Sequence, residues 1–272
     1  MLDSQIRCLN SSQPEAQYGV GSWNQNPDPV LNGSYRQSPA LEPRTAVNFF
    51  PAREMKFLLD PQRAAELESY LSSSMSLDVY ADPGHRNGYE LTTLYTDTPE
   101  LDVYHRRGRH RLIKFRLRRY GNADCVYLER KSKQGRVVRK RRVSIGIEEL
   151  ARLADPQRSR DWAGQWFQTH LLRSGLQPVC VVHYHRAAYV ATGDCGAIRV
   201  TLDRDITGSV MREWSLQQPT EMQSVLSPQV VCEMKYRGSL PTQFKEVIAD
   251  LQLIPVGISK FRQVLEATLP RK

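Results

Sequence analysis

Polar and apolar side chains alternate with a period of two through several stretches, and this pattern sets most of the expected elements. In IKFRLRRY, Lys114, Arg116 and Arg118 share one side of a strand, and Ile113, Phe115 and Leu117 share the other. The same alternation places Glu129, Lys131 and Lys133 opposite Val126 and Leu128. It also sets Arg199, Thr201 and Asp203 opposite Ile198, Val200 and Leu202, and Glu233, Lys235 and Arg237 opposite Cys232, Met234 and Tyr236. Strands are predicted at 48–59, 90–98, 110–120, 125–132, 136–145, 179–191, 197–203 and 229–237. Helices are predicted at 61–74, 147–154, 158–173, 241–251 and 258–268. The first of these is marked by Asp60-Pro61, a capping residue followed by proline in the first turn.

Strands joined by short polar turns, with helices at the start, middle and end, imply an α+β fold around a mainly antiparallel sheet that curls or closes. Residues 1–46 are rich in Ser, Asn, Gln and Pro without periodicity and read as a disordered N-terminal tail. Residues 47–272 read as one domain. Neither GxGxxG nor GxxxxGK[ST] occurs, so a Rossmann fold and a P-loop are both unsupported.

Charge changes the picture. The 272 residues carry a formal net charge of +9. Between Arg106 and Arg142 sixteen Lys and Arg stand against only Asp124 and Glu129, so the positive excess is local. Such a concentration points to a site for polyanions. A solvated sheet face normally mixes Thr, Ser, Glu and Lys. Rows this rich in Arg suit phosphate, whose oxygens match the guanidinium fork. If the sheet closes, the rows meet across a lumen and repel one another unless an anion fills it. Glu129, Asp203 and Glu233 sit among these cations either as internal ion-pair partners or as ligands for Mg²⁺ or Mn²⁺ beside a polyphosphate. Glu233 is taken as the metal ligand.

Other features exclude more than they assign. Five cysteines without a CxxC spacing read as reduced and structural, in a cytoplasmic setting. No apolar run reaches the roughly 18–20 residues that a spanning helix needs, and the N-terminus lacks the apolar core of a signal peptide. His183 and His185 share a strand face, but they point away from Tyr184 and Arg186, so they are placed outside the lumen and set aside as a metal pair. RVVRKRR at 136–142 suggests nucleic acid, yet the nearby aromatics Phe115 and Tyr127 form no stacking row, and no nucleic-acid partner is expected.

The ordered set REMKF at 53–57, LTTLYTDT at 91–98, KFRLR at 114–118, LERKSK at 128–133, RKRR at 139–142, YHR at 184–186, IRVTLD at 198–203, CEMKY at 232–236 and SKF at 259–261 resembles the polyphosphate-polymerase domain of the vacuolar transporter chaperone family, within the triphosphate tunnel metalloenzyme superfamily. The resemblance covers roughly 47–268. It implies a closed antiparallel barrel of eight strands, a tunnel, with helices packed around it. It implies that Lys56 points into the tunnel, that Arg116 and Arg118 grip the transferred phosphates, and that Lys131 and Lys140 line the next two strands. Tyr184 and Arg186 would add a hydroxyl and a guanidinium, Arg199 would complete the clamp, and Glu233 would hold the metal. Ser259 and Lys260 would bind a terminal phosphate at a helix start. The chain departs from the superfamily's hydrolytic ExExK pattern, having Glu54 and Lys56 but Ala52, and it carries SKF where SKY is commoner. Fewer acids favour the polymerase-like branch.

The expected activity is therefore transfer of the γ-phosphoryl of ATP to phosphate, pyrophosphate or a polyphosphate end, with Mn²⁺ or Mg²⁺. The competing expectations are hydrolysis of the same substrates and polyphosphate binding without turnover. The oligomeric state is not legible.

Overall fold

The computed structural model describes residues 52–134, 137–155, 161–193 and 196–269. The predicted tail at 1–46 lies outside these residues, as do Cys8 and Cys195. Cys125, Cys180 and Cys232 are buried free thiols, as expected. Among the described residues no helix is long and apolar enough to cross a membrane.

Among the described residues ten strands build one antiparallel sheet: β1 (Ala52–Leu59), β2 (Ser76–Leu77), β3 (Gly88–Asp97), β4 (Ile113–Tyr120), β5 (Cys125–Gln134), β6 (Val137–Gly146), β7 (Gln177–Gly193), β8 (Gly196–Val210), β9 (Gln223–Ser224) and β10 (Val230–Arg237). The hydrogen-bonded order is β1-β10-β8-β7-β3-β4-β5-β6, with β2 on β7 and β9 on β8. The helices are α1 (Pro61–Ser74), α2 (Asp102–His105), α3 (Gln165–Ser174), α4 (Thr242–Asp250) and α5 (Lys260–Thr268). The α+β class and the large antiparallel sheet match the sequence reading. Asp60 does cap α1, its Oδ1 accepting from the N–H of Arg63 at 2.8 Å.

The sheet curls strongly. Five strands separate β1 from β5, so in a flat sheet their backbones would lie about 29 Å apart at ~4.8 Å per strand. Lys131 Nζ on β5 nevertheless reaches Glu54 Oε2 on β1 at 3.4 Å. The first strand in the order and the last but one thus meet through side chains. Among the described residues no ladder joins β6 to β1. The expected closed barrel is therefore corrected to a curled, unclosed sheet. Part of the reason lies beside β1, where the N–H of Val256, in the segment between α4 and α5, donates to the Lys56 carbonyl at 2.8 Å.

Two apolar clusters fix this curvature. Phe57, Leu202, Cys232 and Met234 of β1, β8 and β10 pack under Leu67 and Leu71 of α1 and Phe244 of α4 on the convex side. Leu94, Phe115, Leu117 and Leu128 of β3, β4 and β5 form a second cluster with Phe167 and Leu171 of α3. Helix α5 sits on the concave side, unlike α1, α3 and α4. Phe261 stacks 5.2 Å from Tyr95, and Val264 lies so close to Gly208 that a Cβ there would approach its Cγ2 at 2.3 Å. Glycine at 208 is what lets the helix seat against β8.

The shorter departures have local causes. Strand β8 runs past the predicted end at 203 because Asp205 adopts a left-handed φ of 52° and the pairing with β7 shifts between His183 and His185. This bulge breaks the alternation without ending the strand. Residues 147–153 form a 3-10 segment rather than an α-helix, and 108–112 are 3-10 before β4 begins.

Candidate active site

Strand register places the cationic rows on one face. On β4, Arg118 opposes Thr93 of β3 and Tyr127 of β5, and Arg116 opposes Glu129. Glu129 in turn opposes Arg142 of β6, and Lys131 opposes Lys140. On the other half, Arg186 opposes Asp203, Thr201 opposes Glu233, Arg199 opposes Lys235, and Glu233 opposes Lys56. Because directly paired residues share a face, these two runs form one continuous lining. With Lys114, and with Lys260 reaching in from α5, eleven cations among the described residues face four carboxylates, Glu54, Glu129, Asp203 and Glu233. Every predicted site residue lies on this lining or at its edge.

The carboxylates organise the cations into three groups. Glu129, fully buried, accepts from Arg116 Nε at 2.7 Å and pairs with Lys140 Nζ at 2.8 Å and Arg142 Nε at 3.5 Å. Burial opposes its charge, but Arg116, Arg118 and Lys140 outweigh this and hold its pKa well below the usual carboxylate range. Glu129 is thus an ion-pair hub. Asp203 takes a two-pronged bond from Arg186, Nε to Oδ1 at 2.6 Å and Nη2 to Oδ2 at 2.8 Å, and a third from Lys260 Nζ at 2.5 Å. Burial again acts against the charge and the two cations prevail, leaving Asp203 ionised. Arg186 and Lys260 also lie against the Tyr184 ring, 5.4 and 4.8 Å from its centroid.

The third group surrounds Lys56. Its Nζ lies 3.2 Å from Glu233 Oε2 and 3.4 Å from Glu54 Oε1. Lys235 Nζ holds Glu233 Oε1 at 2.5 Å. Despite burial, Lys235, Lys56 and Arg186 keep Glu233 ionised well below its ordinary pKa. Thr201 Oγ1, directly across from Glu233, is buried and has no hydrogen-bond partner among the described residues. The carboxylates of Glu233 and Glu54 and the bare Thr201 hydroxyl are hard oxygen donors of the kind Mg²⁺ and Mn²⁺ take, so the site fits a divalent ion once the two lysines turn to phosphate.

The remaining predicted residues are positioned as follows. Arg118 is buried, with Nε 3.3 Å from Thr93 Oγ1 and Nη2 3.4 Å from the Tyr184 hydroxyl. Arg199 donates to the Tyr89 hydroxyl at 3.0 Å and pairs with Asp78 at 2.8 Å, so its charge is partly spoken for at the rim. Ser259 precedes α5, and its Oγ accepts from Lys114 Nζ at 3.4 Å. Lys114, Arg142, Lys235, Glu54 and Tyr89 complete the lining without having been singled out. Lys114 and Lys235 were visible as members of the alternating rows, Arg142 as part of RKRR and Glu54 as part of the incomplete ExExK pattern, whereas Tyr89 gave no signal. Two surface clefts beside α1 contain none of the eleven cations.

These cations crowd one another. Burial, then repulsion from Lys56, Arg116 and Lys131, pushes Lys114 down to about 8. Burial also brings Lys140 down to about 8, with Glu129 acting in the opposite sense and Arg116 and Arg142 adding to the depression. A bound polyanion favours the protonated lysines. Below about pH 8 both are already charged and affinity is at its plateau. Above it, binding must draw protons from solution and weakens. Tripolyphosphate titrated calorimetrically from pH 7 to 9.5 should bind progressively less tightly, with proton uptake above pH 8. A pH-independent affinity would show that neither amine faces the ligand.

The VTC domain family matches residues 51–269. The chain belongs to the VTC domain family. A search of curated proteins finds no match. Among solved structures, this VTC domain is similar to the bh2851 protein of Bacillus halodurans, at 12% identity over 81% of this chain and 97% of that one, with a TM-score of 0.47. It is similar to PH1819 of Pyrococcus horikoshii at 12% identity, covering 79% and 99% of the two chains, TM-score 0.42. It is also similar to HpAC1 of Hippeastrum, a protein described as having a dominant triphosphatase activity, at 14% identity over 80% and 96%, TM-score 0.41.

Proposed function

We propose that this VTC domain is a polyphosphate-polymerase-like phosphotransferase that moves the γ-phosphoryl of ATP to phosphate, pyrophosphate or the end of a polyphosphate chain. The observation that carries the reading is the excess of cations on the concave face of the curled sheet, eleven against four carboxylates. Such an excess is costly without an anion, and linked phosphates supply closely spaced negative charge along a track.

In this reading a terminal oxygen of the acceptor attacks the γ-phosphorus, a new P–O bond forms, the bond from the γ-phosphorus to the β–γ bridging oxygen breaks, and ADP leaves with that electron pair. The acceptor oxygen is already ionised near neutral pH, so no strong base is required. Phosphoryl transfer depends on positioning and charge stabilisation. Arg116, Arg118, Lys131, Arg186 and Arg199 neutralise charge on the transferred group and the bridging oxygen. Lys56, Lys140 and Tyr184 hold the flanking phosphates, and Ser259 with Lys260 holds the terminal one. Glu233, with Glu54, would hold Mn²⁺ or Mg²⁺, which when bound adds charge neutralisation on the phosphates.

The test is to incubate the purified full chain with ATP and Mn²⁺ and to resolve the products on a gel. Polymer with stoichiometric ADP supports the proposal. Orthophosphate alone makes the chain a hydrolase of the same substrates. Binding with no ATP consumption makes it a polyphosphate-binding module. Glu233→Ala is expected to cut metal-dependent ATP consumption on the order of 100-fold or more while tripolyphosphate still binds.

A further inference from the structure

On the convex side of β3 and β7, away from the phosphate-facing lining, the fold gathers side chains that are far apart in sequence. Glu90 stands on β3 directly across from His185 on β7, and Thr92 across from His183. The turn entering β3 brings His85 over the same spot. Glu90 lies between two imidazoles, its Oε1 3.1 Å from His85 Nε2 and its Oε2 3.0 Å from His183 Nε2. The rings of His85 and His185 are 5.2 Å apart. One ligand-capable atom from each of His85, Glu90 and His185 lies within 4.8 Å of the other two.

The hydrogen bonding at His185 is informative. Its Nε2 lies 2.9 Å from the carbonyl oxygen of His85. A carbonyl only accepts, so Nε2 carries the proton and donates. The neutral ring then has a bare lone pair on Nδ1. His185 is only 1% exposed, and Nδ1 is buried without a hydrogen-bond partner among the described residues. An unused imidazole lone pair in a buried position is expensive. A histidine whose other nitrogen donates to a backbone carbonyl is in the arrangement that orients imidazole metal ligands. Gly88 makes room for this ring, since a Cβ there would stand 2.7 Å from His185 Cε1.

We propose that His85, Glu90 and His185 form a second metal site, for a transition-metal ion of the zinc class, with His183 as a further donor beyond Glu90. The donor chemistry separates it from the lining. Imidazoles with one carboxylate suit Zn²⁺, Co²⁺ or Ni²⁺, whereas the oxygen donors around Glu233 suit Mg²⁺ or Mn²⁺. The ion would pin the turn at 83–87, where Arg86 and Asn87 both have left-handed φ, to the outside of the sheet. The proposal is independent of the activity assigned to the concave face.

The test uses the full chain stripped with EDTA and then titrated with Zn²⁺ by calorimetry and with Co²⁺ by visible absorption. The expected result is about one tight equivalent, with the intensified Co²⁺ absorption of a four-coordinate site. His85→Ala and Glu90→Gln, at exposed and half-buried positions, should each weaken Zn²⁺ at least about tenfold, leaving tripolyphosphate binding unchanged. Glu233→Ala should retain the zinc equivalent. No Zn²⁺ binding by the unaltered chain, unchanged affinity in both His85→Ala and Glu90→Gln, or loss of the zinc equivalent in Glu233→Ala would overturn the proposal.

Discussion

Arg116→Met is expected to lower kcat for ATP consumption about 100- to 1000-fold, the usual consequence of removing one preorganised charge donor from a transfer site, with the fold intact. Arg116 bonds Glu129 through Nε, at 2.7 Å from Oε2, and its strand register puts it on the concave face. The loss of this arginine does not strand its partner, because Glu129 keeps Lys140 at 2.8 Å and Arg142 at 3.5 Å. Methionine preserves the length of the apolar stem, so packing changes little. Steady-state kinetics with ADP detection, paired with a thermal melt, reads both parts. A fall in kcat with a near-normal melting temperature is the expected pair of results. An unchanged kcat would mean that the Arg116 guanidinium does not touch the group in transfer.

Glu129→Ala is expected to act in the opposite manner, chiefly on stability. The carboxylate is 1% exposed and counterbalances Arg116, Lys140 and Arg142 together. Removing one member of a buried ion cluster leaves uncompensated charge and costs about 3–5 kcal/mol. Urea denaturation of the two proteins measures this directly. Tripolyphosphate should recover much of the loss, since it returns negative charge to the same cations and binds only the folded chain. The pH dependence follows from the depressed pKa of Glu129. Its stabilising contribution is complete above the ordinary carboxylate range and is lost only as pH falls through the lower folded-state value. The unaltered protein should therefore keep this contribution through mild acid. A Glu129→Ala protein as stable as the parent would refute the hub.

Much of this arrangement was legible in the chain because strand geometry is so regular. A period of two was enough to set Lys114, Arg116 and Arg118 on one face, and to separate Tyr184 and Arg186 from His183 and His185. The concave placement of those rows then follows from register. What single strands could not reveal is which charge meets which. Glu129 was equally readable as metal ligand or ion-pair partner until β4 and β6 bracketed it with Arg116 and Arg142. Closure was not legible either, because it depends on whether β6 reaches the edge of β1, where Val256 also bonds. The seat of α5 on the concave side depends on the missing side chain of Gly208. His85 lies in a turn with no periodicity, so nothing local tied it to a histidine 100 residues away.

In the proposed function, the concave face of the curled sheet serves linked phosphates rather than a single anion. Calorimetric titration of the metal-free chain with orthophosphate and with tripolyphosphate, repeated at rising salt, tests it most directly. Two further phosphates engage additional charge-assisted contacts, each worth roughly 1.5–3 kcal/mol. Tripolyphosphate should therefore bind on the order of 100-fold or more tightly than orthophosphate, and the difference should shrink steeply as salt screens the cations. Equal affinities for the two anions, or a tripolyphosphate affinity indifferent to salt, would contradict the account.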